Sequence, residues 1–121
     1  MSNLYKFLFK VKYKLIFFIA IKFKIWKIIE NNTKGIGKTK IIHSLAKKYD
    51  LPVLTTWKYL YKDCEVITPT DKLKTIMKYS NQVILVDTLV YPSSLEVMYV
   101  LSKNNILVGF TSQVDFNRRD D

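Results

Sequence analysis

The feature that most constrains the fold of this chain is a regular alternation of short apolar segments with amphipathic ones. The apolar segments have the length of strands and lie at residues 25–30, 51–57, 65–68, 83–86 and 106–108. The amphipathic segments repeat their apolar residues every three or four positions, as helices do, and lie at residues 39–49, 71–79 and 93–103. Strands that alternate with helices in this way, with central strands apolar throughout, indicate a mainly parallel sheet between two layers of helices. The predicted class is therefore α/β.

The chain is expected to fold as one domain. Its 121 residues contain no linker rich in Pro, Gly or Ser, and 49% of them are hydrophobic, which is enough for a core. We assign residues 25–121 to this domain and residues 1–24 to a basic, apolar N-terminal arm. The single cysteine, Cys64, excludes an internal disulfide framework and suits a reducing compartment.

Positive charge is concentrated in the N-terminal part of the chain. Residues 1–48 contain 12 lysines and one acidic residue, Glu30, and so carry +11, whereas residues 49–121 carry −1, which together make the net +10. A basic pole attracts polyanions, which include nucleic acid, nucleotides and anionic membrane surfaces. An AT-rich coding sequence, which enriches Lys, Ile and Asn, explains the same bias equally well.

The N-terminal segment at residues 4–29 mixes lysines with apolar residues. The two types alternate strictly over residues 10–15 and 21–25, and this period of two predicts half-exposed strands. The apolar run at residues 15–21 is far shorter than the ~20 residues that a membrane-spanning helix needs. We therefore expect strands that pair within the fold or a partly disordered arm, with contact to a membrane surface through residues 4–29 as the alternative.

Two of the three glycines lie in Gly-Ile-Gly-Lys-Thr at residues 35–39, between a predicted strand and a predicted helix. This is the end of a P-loop, in which backbone N–H groups cradle phosphates, Lys38 reaches the β and γ oxygens, and the Thr39 hydroxyl ligates Mg²⁺. The full motif has glycine where this chain has Asn32, a residue type that tolerates left-handed backbone. The alternative is a chance Gly-Lys turn. The predicted nucleotide-binding residues are Asn32, Thr33, Lys34, Gly35, Ile36, Gly37, Lys38 and Thr39.

An acidic residue follows the most apolar predicted strand, since Val83–Val86 leads directly into Asp87. Ligands of parallel α/β sheets bind at the carboxyl ends of the strands, so we expect Asp87 to face the P-loop and to share Mg²⁺ with Thr39. The alternative is an aspartate that merely ends a strand. The third glycine, Gly109, also follows an apolar strand and precedes Gln113, which could orient an attacking water. A simple turn at Gly109 is the competing interpretation.

The order of these elements resembles motifs I, II and III of viral superfamily-1 RNA helicases, over residues 25–119. The short path between the first two motifs is similar to the compact helicases among triple gene block movement proteins of plant viruses. The resemblance implies a P-loop NTPase (RecA-like) domain in a three-layer sandwich, binding ATP or GTP with Mg²⁺ and associating with RNA in the host cytoplasm. The candidate catalytic residue is Gln113. The candidate RNA-binding residues are Thr55, Thr56, Thr68, Arg118 and Arg119.

This chain departs from the helicase motifs at two positions. Thr88 stands where the family has the glutamate that activates water, and Phe110 stands where it has an acid after the glycine. A threonine hydroxyl cannot accept a proton at neutral pH, so we expect weak or absent hydrolysis. We also expect one nucleotide-binding domain and no second one to supply arginine fingers, which contribute about 10³–10⁵ in rate. Unwinding by this chain alone is therefore not expected.

The predicted function is that of a nucleotide-binding, RNA-associated helicase-like protein that serves in movement or replication. The alternative is a non-enzymatic, membrane-associated movement or interaction protein with a vestigial P-loop, and a decayed reading frame stays open as well. A small P-loop kinase is disfavoured because the chain lacks an arginine-rich lid. His43 is expected to be exposed, and no metal-ligand cluster is evident. The aromatic residues at 57–61 either stack on RNA or pack in the core. The oligomeric state is left open.

Overall fold

The computed structural model describes residues 3–31, 33, 35–68, 78–89 and 105–112. Within them, the secondary structure follows the alternation expected of an α/β domain. The elements are α1 (Asn3–Phe23), β1 (Lys27–Glu30), α2 (Lys38–Tyr49), β2 (Val53–Thr55), a 3-10 helix (Lys58–Tyr61), β3 (Val66–Ile67), β4 (Val83–Leu89) and β5 (Ile106–Ser112).

The five strands form one all-parallel sheet in the order β1-β5-β4-β2-β3. The longest pairing joins β4 to β5, from Val83 opposite Ile106 to Leu89 opposite Ser112. The chain enters the sheet at β1, passes through α2 to β2 on the far side of β4, and returns later to fill the centre. The α/β class and the parallel sheet that the apolar segments predict are thus confirmed.

Both faces of the sheet are buried. On one face, Leu85, Val108 and Phe110 pack in the same cluster as buried residues of α1 and α2. On the other face, Ile84 and Val86 pack with neighbours that include Tyr79. This burial on both sides explains why the central strands are apolar at consecutive positions rather than at alternate ones. The predicted helix at 93–103 and residues 71–77 of the predicted helix at 71–79 lie outside the described residues.

The N-terminal segment is one helix, so the prediction of strands over residues 10–15 and 21–25 is wrong. Lysine alternation in this segment coexists with a second pattern, since Phe9, Tyr13, Phe17 and Ala20 are spaced by four, four and three positions and share one helix face. Long unbranched side chains such as lysine also lose little rotamer freedom in a helix. The segment therefore forms a helix, because only a helix places these apolar residues on one face that can be buried against the sheet.

An aromatic cluster attaches α1 to the sheet. The ring of Phe110 in β5 lies 5.7 Å from that of Phe9, 5.3 Å from that of Tyr13 and 5.0 Å from that of Phe17. The last two contacts are edge-on, which is the arrangement that the ring quadrupoles favour. Phe110 is 1% exposed and Phe17 is fully buried. Phe110 therefore packs α1 against the sheet.

Both central strands run further than the sequence predicts. β4 continues past Asp87 to Leu89, and β5 continues past Gly109 to Ser112. Gly109 adopts φ 151° in the middle of β5, and a Cβ at this position would lie only 2.7 Å from the Val86 backbone nitrogen. The interpretation of Gly109 as a turn is therefore wrong, because glycine is needed here for the close approach of two strands.

Among the described residues, neither long helix combines the length and the apolar character needed to cross a lipid bilayer.

Candidate functional site

The loop between β1 and α2 has the backbone of a glycine-dependent turn. Gly35 and Gly37 adopt φ values of 72° and 99°, which side-chain-bearing residues rarely reach. Gly37 is the N-cap of α2, and no side-chain hydrogen bond caps the helix there. Such a helix start leaves backbone N–H groups free to bind an anion. Asn32 and Lys34 lie outside the described residues.

Two hydrogen bonds centred on Asn31 organise the first half of this loop. The Thr33 amide donates to Asn31 Oδ1 at 3.0 Å, and the Lys38 ammonium donates to the Asn31 carbonyl at 2.5 Å. Lys38 is half-buried, and its desolvation lowers the pKa of the ammonium, although the negative charge of Asp87 opposes that shift. The Lys38 side chain therefore lies against the loop whose bound phosphates it is predicted to contact.

The structure joins the two predicted Mg²⁺ ligands. The Thr39 hydroxyl, in the first turn of α2, donates to Asp87 Oδ2 at 2.9 Å although 48 residues separate the two in sequence. Asp87 lies in β4, and β5 lies between that strand and β1. The contact therefore arises from the packing of α2 over the sheet. A hydroxyl and a carboxylate side by side are the hard oxygen ligands that Mg²⁺ prefers.

Asp87 is almost fully buried and has a second hydroxyl partner. Tyr61 is completely buried at the end of the 3-10 helix, and its hydroxyl donates to Asp87 Oδ2 at 2.5 Å. Burial raises the pKa of Asp87, while the two hydroxyl donors and the charge of Lys38 oppose the shift. Burial and the adjacent carboxylate raise the pKa of Tyr61 well above its usual range, so the phenol stays a donor.

Sequence reasoning missed the role of Tyr61. We grouped this residue with neighbouring aromatics as RNA-stacking or core candidates, and nothing local distinguishes it from Tyr59. In the structure Tyr59 is 66% exposed and Tyr61 is 0% exposed. Only the tertiary contact with Asp87 separates them, because an aromatic residue with a polar tip suits either environment.

The candidate RNA-binding threonines differ in their surroundings. Thr55 is fully buried in β2, and its hydroxyl accepts a hydrogen bond from the Trp57 amide at 2.9 Å, so this side chain is not exposed in the structure. Its contact with RNA stays a prediction. Thr56 and Thr68 are half-buried, and the Thr56 hydroxyl oxygen has no hydrogen-bond partner in the described part of the chain. The other RNA-binding candidates, Arg118 and Arg119, lie outside the described residues, as does the candidate catalytic residue Gln113.

A cavity of about 630 Å³ opens beside the loop between β1 and α2. One wall is formed by residues 35–41 at the start of α2, and the opposite wall by α1. Among the described residues, five lysines and no acidic residue line this cavity. They are Lys6, Lys10, Lys14, Lys38 and Lys40. The cavity is therefore a strongly positive recess that adjoins the Thr39–Asp87 pair.

A second group of polar side chains lies on the outer side of α2. His43 is half-buried rather than exposed as predicted, and its Nε2 atom lies 2.8 Å from Asp63 Oδ1. Lys47 pairs with the same carboxylate at 3.1 Å, and the hydrogen bonds of His43 and Lys47 hold the pKa of Asp63 well below its usual range. Potential metal-ligand atoms of His43, Asp63 and Cys64 lie within 4.8 Å of one another. The sequence does not reveal this group, since 20 residues separate His43 from Asp63.

Comparisons of the chain with protein-family models, with curated proteins and with solved structures found no match. The functional conclusion therefore depends on the residues and geometry of this chain alone.

Proposed function

We propose that this protein binds a nucleoside triphosphate with Mg²⁺ in the loop at residues 31–39, as a RecA-like P-loop domain. The observation that carries the proposal is the 2.9 Å hydrogen bond between Thr39 and Asp87. A chance Gly-Lys turn has no reason to place its following threonine against a buried carboxylate from a distant strand. Two independent sequence predictions meet at this contact.

Phosphate binding would use the loop backbone and one cation. The left-handed glycines Gly35 and Gly37 shape the loop in front of the uncapped start of α2, where N–H groups bind anions. Lys38 is the cation of the loop, and release from the Asn31 carbonyl would let its ammonium reach phosphate oxygens. The neighbouring positive recess adds attraction for a polyanion.

Thr39 and Asp87 would hold the Mg²⁺ ion. Their donor set, a hydroxyl and a carboxylate, fits a hard cation that keeps several waters and few protein ligands. When bound, the ion would neutralise part of the negative charge of the phosphates. Asp87 is suited to such a role because its charged form costs free energy in a buried position unless a cation or donors compensate it.

We propose that hydrolysis is slow or absent. The partners of Asp87 among the described residues are two hydroxyls, and neither Thr39 nor the high-pKa phenol of Tyr61 can take a proton from water at neutral pH. Thr88 replaces the glutamate that serves as the base in the helicases that this chain resembles. Binding without efficient turnover is the activity that these residues support best.

Replacement of Lys38 tests the proposal. Lys38→Ala is expected to abolish measurable binding of ATP and GTP in titration calorimetry with Mg²⁺, because the loop loses its cation next to the phosphates. The matched control is Lys62→Ala, which removes an exposed lysine that does not line the cavity and should leave the affinity unchanged. Unchanged affinity in Lys38→Ala, with a normal circular dichroism spectrum, would contradict the P-loop assignment.

A further inference from the structure

We propose that α1 is a nucleotide-binding element, with Lys6, Lys10 and Lys14 contacting the phosphate chain and Phe7 stacking on the base. This inference rests on the proposed function, since it concerns the same bound nucleotide. It assigns a role to the N-terminal helix that the P-loop motif does not contain.

The lysines are placed by helix geometry and by packing. Positions 6, 10 and 14 are four residues apart and so lie along one flank of α1. All three line the cavity whose other wall is the P-loop, together with Gly37, Lys38 and Thr39. The aromatic contacts with Phe110 hold α1 against β5, so the flank is held in position over the loop.

The charges on this flank lack counter-ions in the described part of the chain. The ion pairs found there join His43 and Lys47 to Asp63, and none includes a lysine of α1. Partial desolvation, followed by the nearby charges of Lys10 and Lys48, lowers the pKa of Lys14. Mutual repulsion of this kind is relieved when a polyanion binds between the cations.

The dimensions of the recess suit a nucleoside triphosphate. Lys6 and Lys14 are separated by about 12 Å along α1 at 1.5 Å per residue, and their long, flexible side chains can converge from this span on a chain of phosphates. The cavity volume of about 630 Å³ lies within the range typical of small-molecule sites. Phe7 also lines the cavity and is 60% exposed, so its ring face is open to a base. Inorganic tripolyphosphate has the phosphates of ATP but no base. A comparison of the two ligands therefore separates the contribution of the lysines from that of Phe7.

The first experiment compares two triple variants of the full chain with equal net charge. One replaces the cavity lysines (Lys6→Gln, Lys10→Gln, Lys14→Gln), and the control replaces lysines of the same N-terminal segment that do not line the cavity (Lys12→Gln, Lys22→Gln, Lys24→Gln). Titration with ATP and with tripolyphosphate, at fixed ionic strength with Mg²⁺, is expected to show ~10–100-fold weaker binding for the cavity variant. The control should stay within about threefold, since only long-range charge is lost. Equal affinities of the two variants would overturn the inference.

A single variant protects the test against misfolding of the triple variant. Lys10→Gln should weaken ATP and tripolyphosphate binding by ~3–10-fold while circular dichroism and thermal unfolding stay close to wild type. An unaltered affinity of Lys10→Gln would contradict the role of α1, and so would an unaltered affinity of the folded triple variant.

The base contact is tested with Phe7→Ala. Because stacking on an aromatic ring acts on the base alone, ATP and GTP should bind ~5–10-fold more weakly and tripolyphosphate should bind as before. Equal losses for all three ligands would contradict the stacking role of Phe7. If wild-type protein binds neither ATP nor tripolyphosphate, the proposed function itself fails. If wild type binds and Lys38→Ala does not, but the cavity and control variants agree, then only the role of α1 fails.

Discussion

At the scale of single residues, Asp87 lowers the stability of the protein through its buried charge, and it lies in contact with the Thr39 hydroxyl. It is 4% exposed, and burial raises its pKa in spite of two hydroxyl donors and the nearby Lys38. The folded protein would be more stable with a neutral residue of similar shape at this position. This arrangement is consistent with the cation binding that we propose for Asp87 and Thr39, since perturbed carboxylates concentrate at functional sites.

Asp87→Asn is expected to stabilise the metal-free protein at neutral pH while removing Mg²⁺-dependent nucleotide binding. The Asn carbonyl can still accept from Thr39 and Tyr61, and the buried charge is gone. The pKa of Asp87 is higher in the folded than in the unfolded chain. The free energy of unfolding of the wild type therefore decreases as the pH rises from about 4 through the folded pKa, because the buried carboxyl must ionise. The difference in melting temperature, Asp87→Asn minus wild type, should thus increase with rising pH. Thermal unfolding in EDTA across this range measures the difference, and a variant whose relative stability falls with pH would refute the argument.

At the scale of elements, α1 shows how one contact can decide the conformation of a segment. Its strand-like alternation of lysines is real, but its aromatic residues also meet on one helix face, and Phe110 receives that face. The same helix then presents its lysine flank to the P-loop cavity. The position of α1 therefore depends on an aromatic residue at position 110.

Phe110→Ala is expected to destabilise the protein by ~3–5 kcal/mol, since a fully buried ring is lost and a cavity remains beneath α1. We expect α1 to detach before the sheet unfolds, so limited proteolysis should cut within residues 3–23 at rates well above wild type. Phe110→Leu, which keeps most of the volume, should show a smaller effect on both denaturant midpoint and cleavage. Loss of stability without faster cleavage of α1 would indicate that Phe110 supports the sheet alone.

At the scale of the whole molecule, α1 presents an apolar stripe to solvent. Leu4, Leu8, Val11 and Leu15 lie on the side opposite the buried face and are 49–67% exposed. Lysines flank the stripe on both sides, and an amphipathic helix of this kind suits the surface of an anionic membrane. Contact of residues 4–29 with a membrane stays a prediction, as does the association with RNA expected from the basic N-terminal half.

Flotation of the full chain with vesicles checks the membrane prediction. We expect co-flotation with vesicles that contain anionic lipid and little with neutral ones. The double variant Leu8→Glu, Leu15→Glu should lose most of this binding, because two charges enter the apolar contact. Leu60→Glu places a charge on a surface leucine outside α1 and serves as the control. Vesicle binding that survives the double variant would exclude the stripe as the contact.

Local sequence patterns are enough to predict the features that depend on neighbouring residues. Periodicity predicts the parallel sheet and α2, because strands buried on both faces must be apolar at every position. The glycines at 35 and 37 predict a loop between β1 and α2, since glycine adopts the backbone conformations that such loops need. Only the tertiary structure decided that α1 is a helix, that Tyr61 rather than Tyr59 meets Asp87, and that Gly109 serves strand packing. Each of these outcomes depends on a contact between residues far apart in the chain, and no local pattern encodes such a contact.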